Sequence, residues 1–215
     1  MITPSFTDSH CHLNFEPLHQ QLPQVLRNAR DNRVGHMLCV GVNLEKLPEV
    51  LALAHAHANI FASVGVHPDA QQGREPSVEE LVQLASDPRV VAIGETGLDY
   101  YRIQGDKRWQ QDRFRRHIHA ARQSGKPLII HTREAASDTL RIMDDESAKD
   151  AGGVMHCFTE SWETARAALD LGFYVSFSGI VTFRNADALR EVARQVPGDR
   201  LLIETDAPYL APAPV

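Results

Sequence analysis

Eight short apolar runs set the limits on what this chain can fold into: Phe6 to His10, His36 to Val42, Ile60 to Val66, Val90 to Glu95, Pro127 to His131, Gly153 to His156, Phe173 to Ser178 and Leu201 to Thr205. Each reads as a strand, and eight is the number that closes a parallel barrel. Six metal-ligating residues stand at or just past the carboxyl ends of these runs: His10, His12, Glu95, His131, His156 and Asp206. In a (β/α)8 barrel all strand ends open on one mouth, so residues remote in sequence can meet around one centre.

The intervening segments carry helical patterning: Pro17 to Asn32, Leu44 to Ala58, Ser77 to Ser86, Lys107 to Ser124, Glu134 to Met143, Ser161 to Leu171 and Ala186 to Gln195. In the fourth, Asp106 is placed to cap the amino terminus, and Phe114, Ile118 and Ala121 recur at helical spacing to give an inward stripe. Repeated strand, helix, strand units fit either a barrel or a doubly wound open sheet. The ligand positions favour the TIM barrel, because an open sheet would not gather the ends of its first, fourth, fifth, sixth and eighth strands. The 215 residues are expected to form one hydrolase domain, 1–215, near the lower size limit of about 200 residues for this fold. Eight strands but seven helices leave the closing helix missing and the domain shortened at its carboxyl end. Leu201, Ile203 and Phe6 would then face water. A truncated gene, a shortened expressed chain or a partner chain would each account for it.

Hydrophobic residues at 43% and charged residues at 23% are ordinary for a globular protein. No stretch approaches the ~20 apolar residues of a membrane span, and the amino terminus lacks a secretion signal, so a cytoplasmic protein without membrane contact is expected. Cys11, Cys39 and Cys157 have no zinc-finger spacing and read as reduced, structural thiols.

The ligand types point to hydrolysis. Asp8, His10 and His12 share a face at strand spacing, so two imidazoles can hold one cation while Asp8 fixes the tautomer of one of them. Glu95 ends an apolar strand, where an unpaired charge is costly, and its two oxygens can bridge two cations. His131 and His156 each close an apolar run, and Asp206 supplies a last carboxylate suited to hold a metal and accept a proton from water. A bound cation lowers the pKa of water from about 15.7 to near 7, which makes the nucleophile available at neutral pH. Imidazole favours zinc, and the added carboxylates admit manganese or magnesium.

Six segments together resemble the TatD family of metal-dependent deoxyribonucleases, within the amidohydrolase superfamily. They are Thr7 to Leu13, Gly65 to Pro68, Gly94 to Tyr100, His131 to Arg133, His156 to Phe158 and Glu204 to Leu210. The resemblance implies a TIM barrel, two divalent ions (magnesium, manganese or zinc), and hydrolysis of DNA phosphodiesters from the 3′ end of single strands. It implies that His10, His12 and Asp206 bind the first ion, His131 and His156 the second, and that Glu95 bridges. Members of the family continue past Pro208-Tyr209-Leu210 through a further helical segment.

For substrate, His67 and Arg133 lie just beyond the third and fifth strands, where phosphate oxygens could meet them. Tyr100, Tyr101 and Trp109 flank Arg102, Lys107 and Arg108, offering faces for bases beside cations for phosphates, or alternatively a solvated helix face with core aromatics. The net charge of −6 and the lack of a long basic run argue against a nonspecific DNA clamp. Two divalent ions would bring about four positive charges to the mouth itself. Rival readings are a superfamily hydrolase cutting a cyclic amide or ester, and a noncatalytic scaffold. The oligomeric state is open.

Overall fold

In the computed structural model, which describes residues 6–101 and 103–214, eight parallel strands form one sheet in the order of the chain. Strands and helices alternate: β1 (Phe6–Cys11), α1 (Leu22–Asp31), β2 (Val34–Cys39), α2 (Leu47–Ala56), β3 (Ile60–Val64), α3 (Val78–Ala85), β4 (Val90–Asp99) and α4 (Arg108–Ser124). There follow β5 (Leu128–Arg133), α5 (Ala136–Asp145), β6 (Gly153–Met155), α6 (Trp162–Asp170), β7 (Tyr174–Phe177), α7 (Asp187–Gln195) and β8 (Leu201–Ile203). Two short 3-10 helices, Ala148–Asp150 and Gly179–Thr182, lie in connections that carried no periodic signal. Among the described residues no helix is long and apolar enough to cross a membrane.

Proline decides where the first two helices begin. Pro23 and Pro48 sit in the first turns of α1 and α2, so neither helix starts as early as Pro17 or Leu44. A proline deeper in a helix would lose a backbone hydrogen bond and clash with the preceding turn. In α4, Asp106 Oδ1 accepts from the Arg108 backbone N–H at 3.0 Å, while Phe114, Ile118 and Ala121 are fully buried. Gly125, left-handed at φ 65°, ends the helix.

The core has two parts. The larger cluster joins the outer strand faces to the helices and includes Ile93, Leu128, Phe114 and Phe173. A smaller one, Val40, Ala92 and Ile129 with Leu38 and Val154 against it, lies on the strand faces that lead to the mouth: Ile129 and Val154 share side-chain parity with His131 and His156.

β4 runs on to Asp99, four residues past its expected end, because Thr96 through Asp99 pair with Ile130 through Arg133. A register shift between Ile93 and Thr96 inserts one extra residue against β5. Simple alternation would put Glu95 on the outer face with Ile93. The extra residue turns it to the mouth instead. Gly94 makes this possible: its φ is 143°, and a Cβ there would lie 2.6 Å from the Ile129 carbonyl oxygen.

The barrel is nearly closed, with one unsealed seam where β8 meets β1 without a ladder. Side chains and loops cross that seam. Ser9 Oγ donates to the Ile203 carbonyl at 2.9 Å, and Asp8 accepts from the Thr205 N–H at 3.0 Å and its hydroxyl at 2.6 Å. Nearer the mouth, Asp206 N–H donates to the His10 carbonyl at 2.9 Å and His12 N–H to the Ala207 carbonyl at 2.7 Å. Outside the seam no helix follows β8 among the described residues. Ile203 is 49% exposed and Phe6 44%, whereas Leu201 is half-buried against the main cluster.

Candidate metal centre

β1, β4 and β5, with the segments after β1, β6 and β8, bring every one of the six expected ligands to one place, and the segment after β3 adds His67. Glu95 is the hub. Its Oε1 lies 2.8 Å from His156 Nε2, 3.3 Å from His131 Nδ1 and 3.2 Å from His67 Nε2, and its Oε2 lies 3.3 Å from His10 Nε2. Asp206 Oδ1 stands 3.3 Å from His12 Nε2 and 3.7 Å from His10 Nε2. The rings of His10 and His156 stack at 3.9 Å.

Three further carboxylates aim the imidazoles. Glu204 Oε1 is 3.1 Å from His156 Nδ1, Asp99 Oδ2 is 3.1 Å from His131 Nε2, and Asp69 Oδ1 is 2.5 Å from His67 Nδ1. A partner on one ring nitrogen fixes the tautomer and presents the other nitrogen. These three carried no role in the sequence reading. Asp99 and Asp69 could have been found by their positions, one on the strand that carries Glu95 and the other two residues after His67. Asp8, expected to orient an imidazole, is instead held by Thr205 and, at 3.3 Å, by the His10 backbone N–H. A backbone donor at the seam outcompetes the ring.

Burial opposes charge on Glu95, but His156, His67 and His10 outweigh it and hold the carboxyl well below its usual range. For His156 burial likewise opposes the cation, yet Glu95 and Glu204 push its pKa well up. Burial and the neighbouring His156 lower His10, while His67 rises to about 9 because Glu95 and Asp69 overcome its burial. Asp206 is lowered: burial resists ionisation, and His12 and His10 favour it more.

Several buried polar atoms here make no well-aligned hydrogen bond, including both ring nitrogens of His10, His156 Nε2 and Glu204 Oε2, even where a Glu95 oxygen lies close by. An unmet buried group costs about 1–3 kcal/mol, so a cluster of them is expensive unless something else fills the space between. A cation coordinated by imidazole nitrogens and carboxylate oxygens would do so. The donor sets close enough to share one ion are His10, His12 and Glu95; His10, His156 and Glu204; and His67, Glu95 and His131.

The centre opens into a cavity of about 1060 Å³ that also reaches Asn43, Gln71, Arg133 and Tyr209. The Arg133 guanidinium lies over the exposed Tyr101 ring, 3.8 Å from its centroid. Thus His67 and Arg133 do border the cavity. Tyr100 does not: its hydroxyl donates to Asp138 Oδ2 at 2.7 Å and accepts from Gln111 Nε2 at 2.8 Å, which holds the ring between α4 and α5, outside the cavity lining. Arg102, the other expected contact, lies outside the described residues.

Known proteins share this chain's sequence and shape. TatD related DNases match residues 7–215 as a family. YcfH of Escherichia coli strain K12, an uncharacterized metal-dependent hydrolase, is 51% identical over 210 residues, covering 96% of this chain and 79% of its own. A 3′-5′ ssDNA/RNA exonuclease TatD of Edwardsiella piscicida is 38% identical over 194 residues, covering 89% and 75%. The crystal structure of YJJV, a TatD homolog from Escherichia coli K12, overlays with a TM-score of 0.89 at 29% identity, covering 99% of this chain and 82% of that one. A family match over nearly the whole length, joined to a relative identical at half of the aligned positions, places this chain among the TatD related DNases, as a metal-dependent hydrolase of that family.

Proposed function

We propose that the chain hydrolyses phosphodiester bonds in DNA as a 3′-5′ exonuclease on single strands, in the cytoplasm, with two divalent ions drawn from magnesium, manganese or zinc. The observation that carries this is the convergence of His10, His67, His131 and His156 on the Glu95 carboxylate, within 3.3 Å, at the floor of an open cavity. The exonuclease named among the relatives supports the substrate class.

In this reading His10, His12 and Asp206 would hold one ion, His131 and His156 the other, and Glu95 would serve both. Ions bound there would supply Lewis acidity and lower the pKa of water toward about 7. Asp206, kept ionised by His12 and His10, takes the proton from the attacking water at its carboxylate. Arg133 and His67 face the cavity and hold the phosphate, and Glu204 and Asp99 keep the rings of His156 and His131 from turning.

Labelled single-stranded DNA, assayed beside a panel of dipeptides and hydantoins with each metal, tests the reading. Asp206→Asn should lower turnover about 10²- to 10⁴-fold, the usual worth of one positioned proton acceptor, and weaken DNA binding far less. Arg133→Ala should act mainly on binding. Cleavage of amides but not of DNA under every metal would reject the nuclease in favour of a cyclic-amide or ester hydrolase, and full nuclease activity in Asp206→Asn would reject the role of Asp206. A protein inert on all of them would reject both the nuclease and the amide hydrolase.

A further inference from the structure

Along α4, three polar side chains at positions i, i+3 and i+7 are buried on one face: Gln110, Arg113 and His117. A buried polar stripe on a helix that packs against a barrel is costly unless every group is met. All three hydrogen-bond to one short stretch, residues 66–70, which carries His67. His117 Nε2 accepts from the Val66 N–H at 3.0 Å. Arg113 donates to the His67 carbonyl at 2.7 Å and to the Ala70 carbonyl at 2.9 Å, and Glu75 neutralises it. Gln110 Nε2 donates to the Pro68 carbonyl at 2.7 Å.

Gln110 does more than its two neighbours. Its Nε2 also reaches the Asp99 carbonyl at 3.1 Å, and its Oε1 accepts from the Asp99 N–H at 3.0 Å. One fully buried carboxamide therefore ties the turn that carries His67 to the end of β4. Asp99 is the residue that aims His131, and the rings of His67 and His131 meet at 4.6 Å across Glu95. The donor set His67, Glu95 and His131 thus straddles the joint that Gln110 makes.

We propose that Gln110 is a positioning residue of the centre: it fixes the spacing between His67 and the Glu95–His131 pair by joining the backbone at Pro68 to the backbone at Asp99. Gln110 does not line the cavity. It acts through the two segments it joins, and Arg113 and His117 extend the hold along the rest of the turn. The inference rests on the proposed metal-dependent function for its consequence, but its geometry does not.

Gln110→Met keeps the volume and removes all three bonds; Gln110→Glu keeps the acceptor for Asp99. Ile118→Val, on the same helix and without a bond to residues 66–70, serves as a control with comparable loss of melting temperature. Manganese affinity of the metal-free protein, read by calorimetry, should fall about tenfold in Gln110→Met, the lower end of what loss of a ligand-orienting partner costs, and at least as far in Gln110→Glu, whose new oxygen faces the Pro68 and Asp99 carbonyls. A crystal structure of Gln110→Met should show the His67 ring displaced from its 3.2 Å approach to Glu95. If that contact is unchanged, or if affinity falls no further than in Ile118→Val, Gln110 is a packing residue and the proposal is overturned. Should Gln110→Met fail to fold, the same contact is read in Gln110→Glu, where an unmoved His67 turn has the same meaning. Absence of nuclease activity in the wild type would defeat the proposed function and leave both of these readouts intact.

Discussion

At His117, burial lowers the pKa from 6.5 to about 4, because the ring accepts from Val66 and donates to the Arg113 carbonyl with no room for a second proton and its hydration. The unfolded chain takes up that proton near pH 6.5 and the folded one does not. Stability from this residue is therefore full above pH 6.5, falls as pH drops toward 4, and is lost at lower pH. The window spans roughly 3 kcal/mol at about 1.4 kcal/mol per pH unit. Urea unfolding of the wild type at pH 7.5 and 4.5, compared with His117→Gln, should show a steeper acid loss in the wild type. Equal slopes would mean that His117 is protonated in the fold or does not titrate there. Among the residues at the mouth, those whose own chemistry announces them were legible: His10, His131 and His156 stand out at the ends of apolar runs. Tyr100 was harder to place, because an aromatic beside basic residues looks alike whether its hydroxyl faces a cavity or, as here, Asp138, 38 positions further along the chain.

The order of strands and helices was plain from periodicity, and the elements depart from it mainly where a single residue overrides the pattern. Pro23 and Pro48 delay α1 and α2; the extra residue at Gly94 and Glu95 reverses which face of β4 carries the carboxylate. Neither alternation nor hydropathy encodes such a slip, since it is settled by the partner strand. The seam between β8 and β1 was equally hidden, because pairing of the first strand with the last depends on registers accumulated around the whole ring. Asp8 crosses that seam with two bonds to Thr205. Asp8→Ala should lower stability by about 1–2 kcal/mol, the worth of charge-assisted bonds at a half-exposed site, in chemical denaturation. Thr205→Val, which keeps the backbone bond and removes the hydroxyl, should lose less. No loss in either would show that the seam is held by the backbone bridges of His10 and His12 and by the Ser9 hydroxyl on Ile203.

Over the whole molecule the two ends of the sheet carry the two halves of one candidate ion site. His10 and His12 come from the first strand, and Asp206 follows the last. On the proposed assignment, an ion held by these three cross-links the strands that no ladder joins, so binding and stability are linked. Saturation at a hundred times the dissociation constant adds about 2.7 kcal/mol. For a chain of this size that is a rise in melting temperature of about 5–10 °C, which calorimetry before and after chelation should record. An unchanged melting temperature, with ion binding confirmed separately, would mean that the unfolded chain binds the ion as well as the folded one. Beneath it, the exposed Ile203 and Phe6 leave the same edge without a covering helix among the described residues. Taken mechanically, the molecule is a hoop fastened at its rim by a clasp. Tension applied between residues 6 and 203 loads the clasp before it loads any of the seven paired strand contacts among the described residues. Such a hoop would spring open at its chemistry first, with its walls still standing.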